Sequence, residues 1–112
     1  AKTGGVTVRI RGKEPAGGGA ELMYTAMQVC LTNAIQYAKA TEISANIWEN
    51  EDSYTVMIRN NGKPPEKKIT EGGGLSNLRH RIENSGGKMT VQSLPEFSLV
   101  IEIPKYENQE RE

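Results

Sequence analysis

Three features of the sequence carry polar chemistry that a purely structural design would not require. Gly72, Gly73 and Gly74 stand in a row before a helical repeat that begins near Leu75. Such a stretch offers bare N–H groups, and the following helix aims its positive dipole end at the same place. That is the chemistry of an anion cradle. Asn33 lies inside an otherwise apolar helical pattern, sharing a face with Val29 and Tyr37. An amide there costs helix propensity and, if buried, needs partners. Asn60 closes an alternating run on the same side as Val56 and Ile58 and opens the turn Asn60-Asn61-Gly62. Each feature has a plain structural reading: a capped helix after a glycine turn, a satisfied helical amide, a turn asparagine. Their order along the chain makes them informative together: helical amide, strand-end amide, then a glycine loop at a helix start.

Composition narrows what such a pocket could serve. The 112 residues, 36% hydrophobic, suffice for one compact domain. With 14 basic and 14 acidic side chains, no global field favours nucleic acid or an anionic membrane, so any phosphate binding must be local. A single cysteine, Cys30, falls on an apolar helical stripe and reads as a core thiol in a reducing compartment, without an internal disulfide. No run approaches 18 apolar residues and no signal-peptide pattern opens the chain, so a cytosolic domain without direct membrane contact is expected. The start at Ala1-Lys2, lacking an initiator methionine, fits a piece of a longer protein. The lone His80 reads as a solvated helix residue and Trp48 as a residue on the exposed face of a strand. No Cys/His cluster, Ser/His/Asp set or GK[ST] phosphate loop is present.

The elements that must hold these residues follow from periodicity. Residues 5–11 alternate, with Val6, Val8 and Ile10 on one face, and predict a half-buried strand. Residues 12–19, with Pro15 and three consecutive glycines, predict a loop. From Ala20 to about Ala40 the spacing predicts a helix of roughly 30 Å with Met23, Met27, Cys30, Ala34 and Ala38 inward and Leu31 and Ile35 beside them. Residues 42–49 and 53–60 predict a hairpin across Asn50-Glu51-Asp52, with Ile43, Ala45, Ile47, Tyr54, Val56 and Ile58 inward. After the glycine loop, Leu75, Leu78 and Ile82 form the stripe of a short helix that Gly86 and Gly87 stop in a left-handed turn. Residues 88–93 and 97–103 predict a second hairpin. The order specifies an α+β two-layer sandwich, a mostly antiparallel sheet with helices on one face. The domain is expected over residues 1–104, and 105–112 reads as a charged tail.

In this setting the three features resemble the boxes of the GHKL superfamily, whose ATP-binding domain has the Bergerat-type sandwich, and most closely the catalytic domain of bacterial sensor histidine kinases. Leu31-Thr-Asn-Ala-Ile-Gln-Tyr-Ala38 is similar to the N box, Ile58-Arg-Asn-Asn-Gly-Lys-Pro64 to the G1 box, and Gly72-Gly-Gly-Leu-Ser-Asn-Leu78 to the G2 box. Gly86-Gly87-Lys88-Met89-Thr90-Val91 resembles the helix stop and strand of the nitrate- and lipid-fluidity-sensor group. The resemblance spans roughly residues 5–104. It implies ATP and Mg²⁺ as ligands, with Asn33, Tyr37, Asn60, Gly62, Gly72, Gly74 and Leu75 lining the nucleotide site and Asn33 holding the metal. Asn60 would face the adenine, Gly62 would allow backbone approach to the base, and Gly72 and Gly74 would wrap the phosphates. Residues 63–71 fall where the family has its ATP lid. The implied partners are a histidine-bearing dimerisation domain of the same protein and a response regulator.

The departures from the family pattern define a rival expectation. Val29 stands where related kinases often carry a glutamate, Asn60 where an aspartate is usual, Pro64 for a glycine, Tyr37 for a common histidine and Gln36 for a common basic residue. Without a carboxylate at position 29 there is no base to activate water, which argues against an ATPase. A histidine kinase needs none, because its acceptor imidazole is already a nucleophile. The neutral Asn60 weakens the expected hydrogen bond to ATP by about tenfold without abolishing it. The alternative is a catalytically degenerate module of the same fold, with weak or no ATP binding, that acts through a protein partner.

Overall fold

A computed structural model describes residues 2–3, 6–15, 17–33, 41–62, 74–92 and 97–105. The strands are β1 (Lys2–Thr3), β2 (Val6–Arg11), β3 (Glu42–Glu49), β4 (Ser53–Asn60), β5 (Lys88–Gln92) and β6 (Ser98–Pro104). The helices are α1 (Gly18–Asn33) and α2 (Gly74–Asn84). One sheet holds the strands in the order β1-β2-β3-β4-β6-β5. Only β2 and β3 run parallel, with α1 in the connection between them; every other neighbouring pair is antiparallel. Three antiparallel pairs of consecutive strands and the parallel β2–α1–β3 crossover therefore produce the mixed α+β sandwich.

Alternation decides what the sheet buries. Ile43, Ala45 and Ile47 of β3, Val56 and Ile58 of β4, and Leu99, Ile101 and Ile103 of β6 all lie on the face that takes the helices. α1 brings Leu22, Met23, Ala26, Met27 and Cys30 to this layer, and α2 brings Leu75, Leu78 and Ile82. Trp48 points the other way and stays half exposed. Tyr54, expected inward, is only partly buried, and the Nζ of Lys105 sits 5.6 Å from its ring centre.

Two details differ from the sequence reading. Helix α1 begins at Gly18, inside the stretch read as loop; the left-handed Gly17 accepts the N–H of Ala20 at 3.1 Å and so starts the first turn two residues early. The short strand β1, too brief to show alternation, forms only by pairing with β2. The expected continuation of the long helix over 34–40 lies outside the described residues, as do 63–73 and, of the expected tail 105–112, all but Lys105.

Four contacts fix the directions of the two helices. A Cβ at Gly19, in the first turn of α1, would lie 3.3 Å from Cγ2 of Ile103, which pairs with Tyr54 near the start of β4. At about 1.5 Å per residue the 16 residues of α1 match the length of an eight-residue strand, so α1 ends over the last residues of β4. Helix α2 runs back against it: a Cβ at Gly74 would lie 3.4 Å from Val29, while the Arg81 guanidinium donates to Thr25 Oγ1 and faces Glu21 at 3.8 Å. The C-terminal end of α1, the N-terminal end of α2 and the end of β4 thus share one end of the molecule.

Candidate functional site

Each part of that end is positioned by local chemistry. Strand β4 stops at Asn60 because its side chain caps the following turn: Oδ1 of Asn60 accepts the N–H of Gly62 at 2.8 Å. Asn61 turns outward and ties β4 to the start of β3. Its Oδ1 accepts the N–H groups of Thr41 and Glu42, both at 2.9 Å, and its Nδ2 donates to Thr41 Oγ1 at 3.0 Å. The N–H of Thr7 donates to the Thr41 carbonyl at 2.9 Å, so β2 is fixed to the same point. This clamp holds the edge on which Asn60 sits. Sequence reading saw Asn61 only as part of a turn; its partners lie twenty residues upstream, and no local pattern signals them.

Asn60 is half-buried on the core side of β4, opposite Ile43. Among the described residues its Nδ2 meets no acceptor, which leaves one amide edge available to a ligand. Gly62, half-buried behind it, places backbone without side chain at the same corner.

The two helix ends are chemically unlike. Helix α1 carries Glu21 in its first turn, which complements the dipole there. Helix α2 has no acidic residue in its first turn, and Arg81 lies in its last. The N–H groups of Gly74 and Leu75 belong to the first turn, where no intrahelical acceptor exists. Leu75 itself is 5% exposed, so its side chain serves the core and only its backbone amide is available. A Cβ at Gly74 would be in ordinary contact with both methyls of Val29. Packing therefore does not demand glycine at this position, and Val29 fills the place beside it with hydrocarbon.

Asn33 is the last residue of α1, one turn beyond Val29, and so reaches the same end of the layer. Tyr37 and Gly72 lie outside the described residues. Of the seven residues read as a nucleotide site, the structure brings Asn33, Asn60, Gly62, Gly74 and Leu75 to one end of the sandwich. His80 is exposed on α2, away from this end, as expected of a solvated residue. Cys30 is fully buried, and desolvation pushes its thiol up to about 12, so it is an inert core residue.

The donor set can be tested against the implied ligands. No group of three or more His, Cys, Asp or Glu able to hold a metal occurs among the described residues. A divalent cation retained here by a lone amide oxygen would have to arrive with its other ligands, as Mg²⁺ does with nucleotide phosphates. Among the described residues, the first turn of α2, without an acidic side chain, and the unpaired Nδ2 of Asn60 fit the two ends of such a ligand, an anion and a polar heterocycle.

No protein-family model matches the chain. It is similar to the sensor histidine kinase YxjM of Bacillus subtilis, with 31% identity over 83 residues, covering 74% of this chain and 20% of that protein. It is also similar to the sensor protein VraS of Staphylococcus saprophyticus, with 26% identity over 90 residues, covering 79% of this chain and 26% of VraS. The chain thus spans about a quarter or less of the curated relatives it matches. Among solved structures, the histidine kinase domain of the blue-light activated kinase of Erythrobacter litoralis superposes with a TM-score of 0.70 at 19% identity, over 91% of this chain and 56% of that one. The histidine kinase AdeS of Acinetobacter baumannii gives a TM-score of 0.71 at 15% identity, over 91% and 55%. The sandwich is the fold found in these histidine kinases.

Proposed function

We propose that this chain is the nucleotide-binding part of a sensor histidine kinase of the GHKL superfamily, within the nitrate- and lipid-fluidity-sensor-like group. It holds a Mg²⁺–nucleotide triphosphate so that the γ-phosphoryl group meets a histidine on a separate dimerisation domain. The observation that carries this reading is the meeting, at one end of the sandwich, of the half-buried Asn60 amide, the end of α1 at Asn33 and the acid-free start of α2. The kinship with YxjM and VraS supports the kinase assignment.

In this reading Asn60 and Gly62 orient the base and the N–H groups of Gly74 and Leu75 face the phosphates. Gly72 extends that wall, Tyr37 flanks it, and Asn33 offers its amide oxygen to Mg²⁺. The metal, when bound, neutralises phosphate oxygens. The rest is placement: a γ-phosphorus held in line with an approaching imidazole nitrogen, the nucleoside diphosphate leaving on the opposite side. Among the described residues, Val29 presents methyl groups rather than a carboxylate beside Gly74, so no base for water stands there. The fragment alone is therefore inactive as a kinase and does not hydrolyse ATP. Its partners are the histidine-bearing domain of its own protein and a response regulator, and its working compartment is the cytoplasm.

Titration calorimetry with Mg-ATP and Mg-ADP tests the reading. Binding at millimolar nucleotide that Asn33→Ala removes, while the thermal midpoint without nucleotide stays put, is the expected result. Absence of heat and of any thermal shift would overturn it in favour of a degenerate module acting through a protein partner. That second reading draws on one observation, the hydrocarbon that Val29 places beside the start of α2.

A further inference from the structure

We infer that Asn61 is a positioning residue of the nucleotide site: through its grip on Thr41 and Glu42 it fixes the Asn60 corner against the sheet and sets how tightly the nucleotide is held. The inference rests on the nucleotide reading above and concerns only what supports the corner that meets the base.

The side chain of Asn60 does not anchor itself. Among the described residues its one contact is the N–H of Gly62 at 2.8 Å, two residues on in the same turn. That bond shapes the turn and fastens it to no other element. It also occupies only one of the two lone pairs on Oδ1, so the amide still presents an acceptor beside its donor. Such an edge pairs with a base at two points, and a paired contact is lost when its carrier shifts by about 1 Å.

Asn61 supplies the fastening. The pair Ile43 and Asn60 is the last in the register of β3 with β4, and the turn begins beyond it. There the N–H of Asn61 donates to the Glu42 carbonyl at 3.1 Å. Its side chain accepts from the N–H groups of Thr41 and Glu42 and donates to Thr41 Oγ1. The Thr41 carbonyl takes the N–H of Thr7, and the Glu42 carboxylate pairs with Arg9, so one asparagine ties the turn to both β3 and β2. Asn61 is exposed, and water could satisfy the same groups if its amide were removed. Water could not hold them at a fixed spacing. The clamp therefore restricts where Asn60 sits, and binding and clamp favour each other by the same factor.

The test is calorimetric binding of Mg-ATP to the 112-residue chain, Asn61→Ala and Asn61→Asp, each at a temperature at which thermal unfolding shows it folded. Gly87→Ala, at the opposite end of α2, controls for general destabilisation. Aspartate keeps an acceptor for both N–H groups, the Thr41 hydroxyl can donate to it, and at this exposed position its charge is screened. The expected result is Asn61→Ala about tenfold weaker, Asn61→Asp within about threefold of the natural chain and Gly87→Ala unchanged. In the natural chain, Mg-ATP should slow hydrogen exchange at the amides of Thr41 and Glu42 more than at those of Gly86 and Gly87. If Asn61→Ala does not fold, Thr41→Val, which removes only the acceptor of Nδ2, takes its place with an expected loss of about threefold. A folded clamp variant that binds as tightly as the natural chain, or a loss that Asn61→Asp or Gly87→Ala shares in full, overturns this inference and leaves the nucleotide reading standing. Failure of the natural chain to bind Mg-ATP overturns the two together.

Discussion

At the end of the molecule where α2 stops, Gly87 lies so near Glu102 that a Cβ would fall 2.2 Å from its carbonyl oxygen and 3.1 Å from Cγ2 of Ile82. At the other end, where α2 starts, a Cβ at Gly74 would rest at an ordinary 3.4 Å from Val29. The two glycines bracket one helix and answer to different demands. The stop is closed on itself: Gly86 is left-handed at φ 91°, and its N–H and that of Gly87 return to the carbonyls of Glu83 and Ile82 at 3.0 and 2.9 Å. Lys105 pairs with Glu49 at 2.9 Å, and its N–H reaches the carbonyl of Asp52, completing that end. The start of α2 has no acidic side chain in its first turn and shares its end with Asn60, whose Nδ2 meets no acceptor among the described residues. One end of the sandwich spends its polar groups on the fold, whereas among the described residues the other leaves some without a protein partner.

The comparison can be broken by substitution. Gly87→Ala forces the backbone away from Glu102 and is expected to cost about 2–4 kcal/mol in urea unfolding, whereas Gly74→Ala changes stability by no more than about 0.5 kcal/mol. Equal losses at the two glycines would remove the distinction between the ends. Asn61→Ala deletes the clamp on Thr41 and Glu42 and is expected to cost about 1–3 kcal/mol, with hydrogen exchange accelerated at the start of β3. Unchanged protection there would show the Asn60 corner to be held by something else.

Two pH profiles sharpen the picture of the layer between the ends. Burial raises the Cys30 thiol from an ordinary 9.0 to about 12, so the folded chain keeps a proton that the unfolded chain loses in this window. Stability is therefore full below about pH 9 and falls by about 1.4 kcal/mol per pH unit above it, a slope that Cys30→Ala is expected to lose. A thiol reagent should correspondingly label Cys30 only as the chain unfolds. The smallest effect belongs to the closed end, where the hydrogen bond and charge of Lys105 hold the Glu49 carboxyl below the usual range. Its contribution is present above an ordinary pKa of 4.5 and disappears as pH falls through the depressed value. Glu49→Gln should flatten this weak acid-side slope, read by thermal unfolding between pH 3 and 6.

Much of this was legible in the chain, for reasons that particular residues make plain. Strands β3 and β4 alternate without interruption, so a period of two assigns Ile43, Ala45 and Ile47 to the core with no help from neighbours. The stripe Leu75, Leu78, Ile82 and the Gly86-Gly87 stop are local signals, and both occur as read. The start of α1 was misread because three glycines look like a loop; Gly18 and Gly19 are helical since Gly17 opens the turn and Gly19 must pass close to Pro15 and Ile103. Strand β1 carries no signal of its own and exists by pairing.

By itself the sequence determined the element types, the inward faces and the presence of two amides and a glycine loop of the right kinds, because each is encoded within a few residues of itself. Only the tertiary structure decided that α2 runs antiparallel to α1, which sets Gly74 beside Val29 and gathers Asn33 and Asn60 at the same end. It alone showed that Asn61 spends its amide on Thr41 and Glu42, whereas among the described residues Asn60 pairs only its oxygen, with the N–H of Gly62. Hydrogen bonds across twenty residues and the direction of a packed helix depend on how layers meet, and no window along the chain contains that information.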